Sequence, residues 1–93
     1  MEILKLDLMR TLNNVGKSTF VKYYFNFKNE SRYACITSFT EDYTDIAKAT
    51  RTNHAKRIFR EGVNLEALQL IINSGRIDKE TIDKARKILE NEC

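Results

Sequence analysis

TDIAKATRTNHAKRIFREG, residues 44–62, is the stretch from which the fold and surface chemistry of this chain are best predicted. It holds five cationic side chains and two carboxylates, so its net charge of +3 equals that of the whole 93-residue chain. The cations are Lys48, Arg51, Lys56, Arg57 and Arg60. The remaining segments balance to zero, and this pooling of positive charge is typical of a surface that contacts an acidic polymer.

Residues 53–61 have the spacing of an amphipathic helix at about 100° per residue. Its apolar side chains gather on one side and its polar ones on the other, the latter being Asn53, Lys56, Arg57 and Arg60. Thr52 or Asn53 can supply the N-cap oxygen. Gly62 tolerates the left-handed conformation that commonly follows a helix end. The sequence therefore predicts both ends of this helix.

A second helix is predicted over residues 39–50, because Ser38 and Glu41 have capping-box spacing. Residues 50–52 would then form a short turn. Over residues 39–62 the pattern resembles the helix-turn-helix family of DNA-binding domains, in which a first helix supports a second that enters the major groove. Ala47 matches the small residue where the two helices touch, whereas Arg51 replaces the usual turn glycine and Ile58 follows the expected branched position by one residue.

The resemblance implies a small DNA-binding protein, such as a transcriptional regulator. Asn53 and Arg57 would face bases, and Arg51, Lys56 and Arg60 would contact phosphates. The same residues also fit an ordinary solvated helix face, since cations opposite an apolar stripe are common on soluble proteins. Both interpretations remain open at this point.

The N-terminal segment can be interpreted in two ways, because residues 2–12 fit either a leucine-striped helix or an alternating strand. Residues 13–19, NNVGKST, follow it and resemble the P-loop of nucleotide-hydrolysing proteins, especially translation-type GTPases. The resemblance implies phosphate contacts for Lys17 and magnesium binding for Ser18. This gives a third hypothesis, a degenerate P-loop nucleotide binder.

Three features depart from the P-loop pattern. Thr11 stands where the first glycine of the loop should be, and its side chain would obstruct the close approach of backbone to phosphate. No apolar run ending in aspartate follows as a magnesium site. The chain is also short for several parallel strands with crossover helices. The simpler prediction is a helix that ends near Asn13 and is broken at Gly16.

The aromatic segment TFVKYYFNFK, residues 19–28, is predicted to be a helix. Its apolar face contains Phe20, Tyr24 and Phe27, while Lys22, Tyr23 and Asn26 are expected to point outward. So apolar a face is either central to the core or half of an interface. The second functional hypothesis is therefore a protein-interaction or homodimerisation module that does not bind nucleic acid.

Two further helices are predicted in the C-terminal third. Asn64 caps a helix that ends at Gly75, and Asp78 caps a last helix. Residues 29–37 are expected to form a link or a short extended piece. Together these segments predict an all-α single domain, residues 1–93, of about five short helices that includes a helix-turn-helix-like hairpin.

Composition narrows the functional classes. With 42% hydrophobic and 31% charged residues the chain is typical of globular proteins. No apolar run could span a bilayer, and the start MEILKLDLMR is unlike a signal peptide, so we expect a cytoplasmic protein with no membrane partner. Cys35, Cys93 and the single His54 provide neither a disulfide framework nor a metal-ligand set. We therefore expect no cofactor, no metal, no catalytic residues and no enzymatic activity.

Overall fold

The computed structural model describes residues 5–92, with side chains from Asp7 onward, and this part consists of helices without a strand. The seven helices are α1 (Lys5–Val15), α2 (Lys17–Lys22), α3 (Tyr24–Asn29), α4 (Arg32–Ser38), α5 (Asp45–Arg60), α6 (Asn64–Ile72) and α7 (Lys79–Glu92). They pack around one hydrophobic core. The all-α prediction is confirmed, and the described residues form seven helices where about five were predicted.

The N-terminal segment is helical over its described residues, 5–15, while residues 2–4 of the ambiguous stretch lie outside them. Leu8, Leu12 and Val15 recur at helical spacing and are buried, which favours a helix over an alternating strand. The helix ends at Gly16, whose φ of 92° is in the region that favours glycine.

The aromatic segment bends at Tyr23 instead of forming one straight helix, which gives α2 and α3. Tyr23 has φ −110° and ψ 22°, and the backbone bonds from Tyr23 to Thr19 and from Phe27 to Tyr23 persist across the bend. Tyr23 is buried, so its predicted outward position is wrong. Position i+3 lies on the same helical face as Phe20.

The face formed by Phe20, Tyr24 and Phe27 lies in the core, with side chains exposed by 1% or less. Phe59 of α5 packs against two of these rings, with centroids 5.7 Å from Phe20 and 5.0 Å from Tyr24. This face is therefore part of the core, and the chain itself covers the surface through which a homo-oligomer was predicted.

The stretch predicted as a link contains α4. Ser31 caps this helix by accepting a hydrogen bond from the Ala34 amide at 3.1 Å. Cys35 is buried beneath it. Only seven residues are helical, too few for the apolar periodicity of a longer helix to be visible in the sequence.

The predicted hairpin of two helices over residues 39–62 is not confirmed, since α5 continues through the expected turn at residues 50–52. Its N-cap is Thr44, which accepts from the Ala47 amide at 3.1 Å. No glycine or proline interrupts residues 45–60, and Thr52, Ala55 and Ile58 form one continuous buried stripe.

The end of α5 agrees with its prediction. Gly62 adopts φ 72°. Its amide donates to the Phe59 carbonyl at 3.1 Å, and the Val63 amide donates to the Ile58 carbonyl at the same distance. These two bonds form the Schellman arrangement that satisfies the last carbonyls of a helix.

The capping box predicted at Ser38 and Glu41 is absent, because residues 39–44 form a connection between α4 and α5. The Glu41 carboxylate instead accepts hydrogen bonds from Lys22 Nζ at 2.9 Å and from the Tyr23 hydroxyl at 2.7 Å. Partners about twenty residues away in the chain thus compete successfully with the local cap.

The two C-terminal helices follow the predicted pattern closely. Asp78 accepts from the Thr81 amide at 2.9 Å, as expected of an N-cap. Asn64 is the first residue of α6 and not its cap, and its side chain donates to the Tyr24 hydroxyl at 2.8 Å. The sequence therefore placed both helices correctly but not the role of Asn64.

Candidate nucleic-acid interface

The site begins with the way α4 lies on α5. Lys56 Nζ donates to the carbonyl of Glu30, just before α4, and Arg32 Nε donates to Asn53 Oδ1 at 2.7 Å. As the chain advances from Glu30 to Arg32, its contact on α5 moves back from Lys56 to Asn53. The start of α4 therefore lies beside the second half of α5.

The outer side of α5 carries the polar residues predicted for it. Asn53, Arg57 and Arg60 are exposed and Lys56 is partly exposed. At about 100° per residue these four positions occupy an arc of roughly 100° on the side opposite the buried stripe. Together with Arg32, which is exposed at the start of α4, they form what we call the cationic surface: Arg32, Asn53, Lys56, Arg57 and Arg60.

No carboxylate of the described residues forms an ion pair with this surface. The ion pairs among the described residues join Lys22 to Glu41 and Lys28 to Glu92, both away from α5. Within that part of the chain Arg57 and Arg60 have neither a hydrogen-bond nor an ion-pair partner. Four positive charges thus share one face of the α4–α5 pair, and two of them are fully available to an external anion.

Arg51 does not share the cationic surface. Its Nη1 donates to the Val15 carbonyl at 2.6 Å, and its guanidinium lies 4.1 Å from the ring centroid of Tyr43. Its predicted phosphate contact assumed that it lay in the turn of a hairpin. In the continuous α5 it faces α1, where a cation satisfies a carbonyl at the C-terminal end of that helix.

Arg32 takes the place of Arg51, and sequence reasoning missed it. It follows a short cap residue in a stretch without visible helical periodicity, and its neighbour Asn53 lies 21 residues further along the chain. Only the packing of α4 on α5 brings it to the site. The one local signal was Ser31, a residue type common at N-caps.

The P-loop-like segment has a different setting from that of a nucleotide site. In residues 5–92 the element before Gly16 is the helix α1, not a strand. Lys17 Nζ donates to Ser74 Oγ at 3.2 Å. The strand that should present the loop in a P-loop is therefore missing from the described chain, and so is the geometry on which this hypothesis depended.

Metal-ligating side chains do not gather into a site in the same part of the chain. Residues 5–92 contain no group of three or more histidine, cysteine or acidic side chains placed to hold a metal ion. Burial raises the pKa of the Cys35 thiol, which disfavours the reactive thiolate. Cys93 lies outside the described residues.

Comparison with known proteins adds no assignment: the chain matches no family model, no curated protein and no solved structure. None of the helices described has the length and apolar character needed to span a bilayer. Function must therefore be argued from the cationic surface itself.

Proposed function

We propose that this chain is a small DNA-binding protein and that it contacts DNA phosphates through the cationic surface. The observation that carries the proposal is the availability of Arg57 and Arg60, which no carboxylate of the described chain pairs. Arg32 and Lys56 flank them on the same face of the α4–α5 pair. Arginine donors suit phosphate oxygens because the planar guanidinium can form two parallel hydrogen bonds.

Asn53 has a supporting role in this proposal. Its side-chain oxygen accepts from Arg32 Nε, which holds the Arg32 guanidinium against α5 with its remaining N–H donors free. Asn53 thereby helps to position a phosphate contact. Its own amide donors remain suited to a base edge or a phosphate.

A salt-dependent binding measurement tests the proposal. Four phosphate contacts, by Arg32, Lys56, Arg57 and Arg60, would give a slope of about −3.6 for log affinity against log salt concentration on a duplex. In the R57A/R60A variant the slope should fall by about 1.8. Fluorescence anisotropy of a labelled duplex at several salt concentrations gives both values.

The matched control is R76A/R86A, which removes two exposed arginines elsewhere and changes the net charge equally. It should retain most of the affinity and of the slope. Equal binding by wild type and R57A/R60A would refute the proposal, and so would an equal loss in the control variant. Circular dichroism and a urea unfolding curve for each variant exclude loss of fold as the cause.

A further inference from the structure

Tyr33 differs from the other tyrosines of the described chain. Tyr23, Tyr24 and Tyr43 each pack against another aromatic ring. Tyr33 has no ring neighbour among residues 5–92, and 77% of it is exposed. On α4 it lies about 160° around the helix from the buried Cys35, so it points directly away from the core.

The position of Tyr33 places it at the cationic surface. It directly follows Arg32, whose guanidinium is bonded to Asn53 on the outer side of α5. Tyr33 therefore lies one residue from the contact that joins α4 to the outer side of α5. An exposed ring on the same pair of helices as cations that no carboxylate of the described residues pairs is a combination that binds single-stranded nucleic acid, with cations along the backbone and the ring against a base.

The packing of α5 argues against deep insertion into a duplex. It contacts α1, α3, α4 and α6, and α4 lies along the flank of its outward face. Packed helix axes are about 8–10 Å apart, and each helix is about 10–12 Å wide. The α4–α5 pair is therefore wider than the major groove of about 12 Å, whereas a flexible single strand can follow its surface.

We infer that Tyr33 is a base-stacking site and that the chain binds unpaired DNA strands more tightly than duplex DNA. The inference rests on the proposed function, since Arg57 and Arg60 supply the phosphate contacts that hold a strand beside the ring. In duplex DNA the bases are already stacked on one another, so the ring of Tyr33 gains no new partner there.

Affinity measurements with two probes test this inference. The probes are an oligothymidylate and a duplex hairpin with an equal number of phosphates. Tyr33→Leu removes the ring but keeps an apolar side chain, and it should weaken oligothymidylate binding by about 5- to 150-fold, as loss of one stacked base implies. Duplex binding should change by less than about twofold, because only phosphate contacts operate there. Tyr33→Phe should behave as wild type on both probes.

Phe25→Leu is the matched control, since Phe25 is a half-exposed aromatic residue on α3, and it should leave both affinities unchanged. Normal oligothymidylate binding by Tyr33→Leu, or equal losses on both probes, would overturn the inference. The R57A/R60A variant separates it from the proposed function. If that variant loses affinity while Tyr33→Leu does not, DNA binding stands and base stacking fails; if it keeps its affinity, both fail.

A spectroscopic signal gives an independent measurement. The chain has no tryptophan, so Tyr33→Trp introduces a single tryptophan at the proposed site, whose emission can be excited selectively. Stacking on a base should quench its emission when oligothymidylate is added, and duplex should quench it much less. Phe25→Trp should show little quenching with either probe. Equal quenching of the two tryptophans would overturn the assignment to position 33.

Discussion

The lysines of α2 and α3 and the arginines on the outer side of α5 show two different uses of positive charge in one small chain. Lys22 and Lys28 lie 2.9 Å and 2.6 Å from carboxylates that are distant in sequence. Arg57 and Arg60 have no such partner among the described residues. The comparison shows that the placement of carboxylates, more than the number of cations, separates charge that connects elements from charge available to a ligand.

Reversing the charge of Arg57 and Arg60 should produce the largest effect, a loss of DNA affinity. Two phosphate contacts contribute about 60-fold in affinity between 1 M and 0.1 M salt. The R57E/R60E variant loses these two contacts, and its glutamates also repel the DNA phosphates. We therefore expect DNA affinity to fall by more than about 100-fold, while the urea midpoint of unfolding stays unchanged. The control R76E/R86E makes the same charge change at exposed positions away from α5. A similar loss in the control would mean that net charge alone governs binding.

Removing Arg51, the arginine of the same helix that faces α1, should give the opposite result. Arg51→Ala loses the hydrogen bond to the Val15 carbonyl and the contact with Tyr43, and we expect the free energy of unfolding to fall by about 2 kcal/mol. Urea denaturation measures this change. DNA affinity of the folded fraction should stay within about twofold of wild type; a loss comparable to that of R57A/R60A would return Arg51 to the binding surface.

Among the paired charges, Glu92 should contribute more to the free energy of unfolding than its partner Lys28. Its Oε1 accepts from the buried Tyr24 hydroxyl at 3.0 Å as well as from Lys28. Glu92→Ala removes both bonds, so we expect a loss of about 1.5 kcal/mol. Lys28→Ala removes only a partly exposed ion pair, for which about 0.5 kcal/mol is typical. Equal losses in denaturant unfolding would show that the Tyr24 bond adds nothing.

Of the two paired carboxylates, Glu41 should have the smaller effect on stability. Burial by itself would raise the pKa of this carboxyl, but the hydrogen bonds from Lys22 and Tyr23 outweigh it and lower the pKa to about 2. Because the folded pKa lies below the unfolded one, this contribution to stability is present above pH about 4.5 and is lost as the pH falls toward 2.

An acid titration of stability, compared between wild type and Glu41→Gln, isolates this contribution. At neutral pH the free energy of unfolding of the wild type should exceed that of the variant by about 1 kcal/mol, a value kept small because the ion pair is partly exposed to solvent. The difference should disappear as the pH falls toward and below 2. A difference that stays constant from pH 7 to pH 2 would show that the Glu41 carboxylate has no coupled titration.

The features that sequence reasoning placed correctly depend on short-range chemistry. Gly62 ends a helix through its left-handed backbone, and Asp78 begins one through a bond three residues away. The failures involve long-range competition. Ser38 and Glu41 have the spacing of a capping box. The Glu41 carboxylate instead accepts hydrogen bonds from Lys22 on α2 and from Tyr23 between α2 and α3, and the local sequence pattern contains neither residue.

In the candidate site, too, the features set by local sequence were predicted and those set by long-range packing were not. The common face of Asn53, Lys56, Arg57 and Arg60 follows from helical periodicity, which the continuous α5 preserves even without the predicted turn. Arg51 was misplaced because a turn residue and a mid-helix residue point in different directions. Arg32 was missed because its position depends on the packing of a helix too short to show an apolar repeat.

Gly16 has two independent reasons to remain glycine. Its φ of 92° disfavours any side chain, and a Cβ there would lie 2.7 Å from Arg51 Nη1. Replacing Arg51 removes only the second reason, whereas replacing Gly16 first meets both. The order of substitution therefore matters here. Replacement of Arg51 leaves the backbone conformation of Gly16 unchanged, whereas replacement of Gly16 requires a different backbone conformation between α1 and α2.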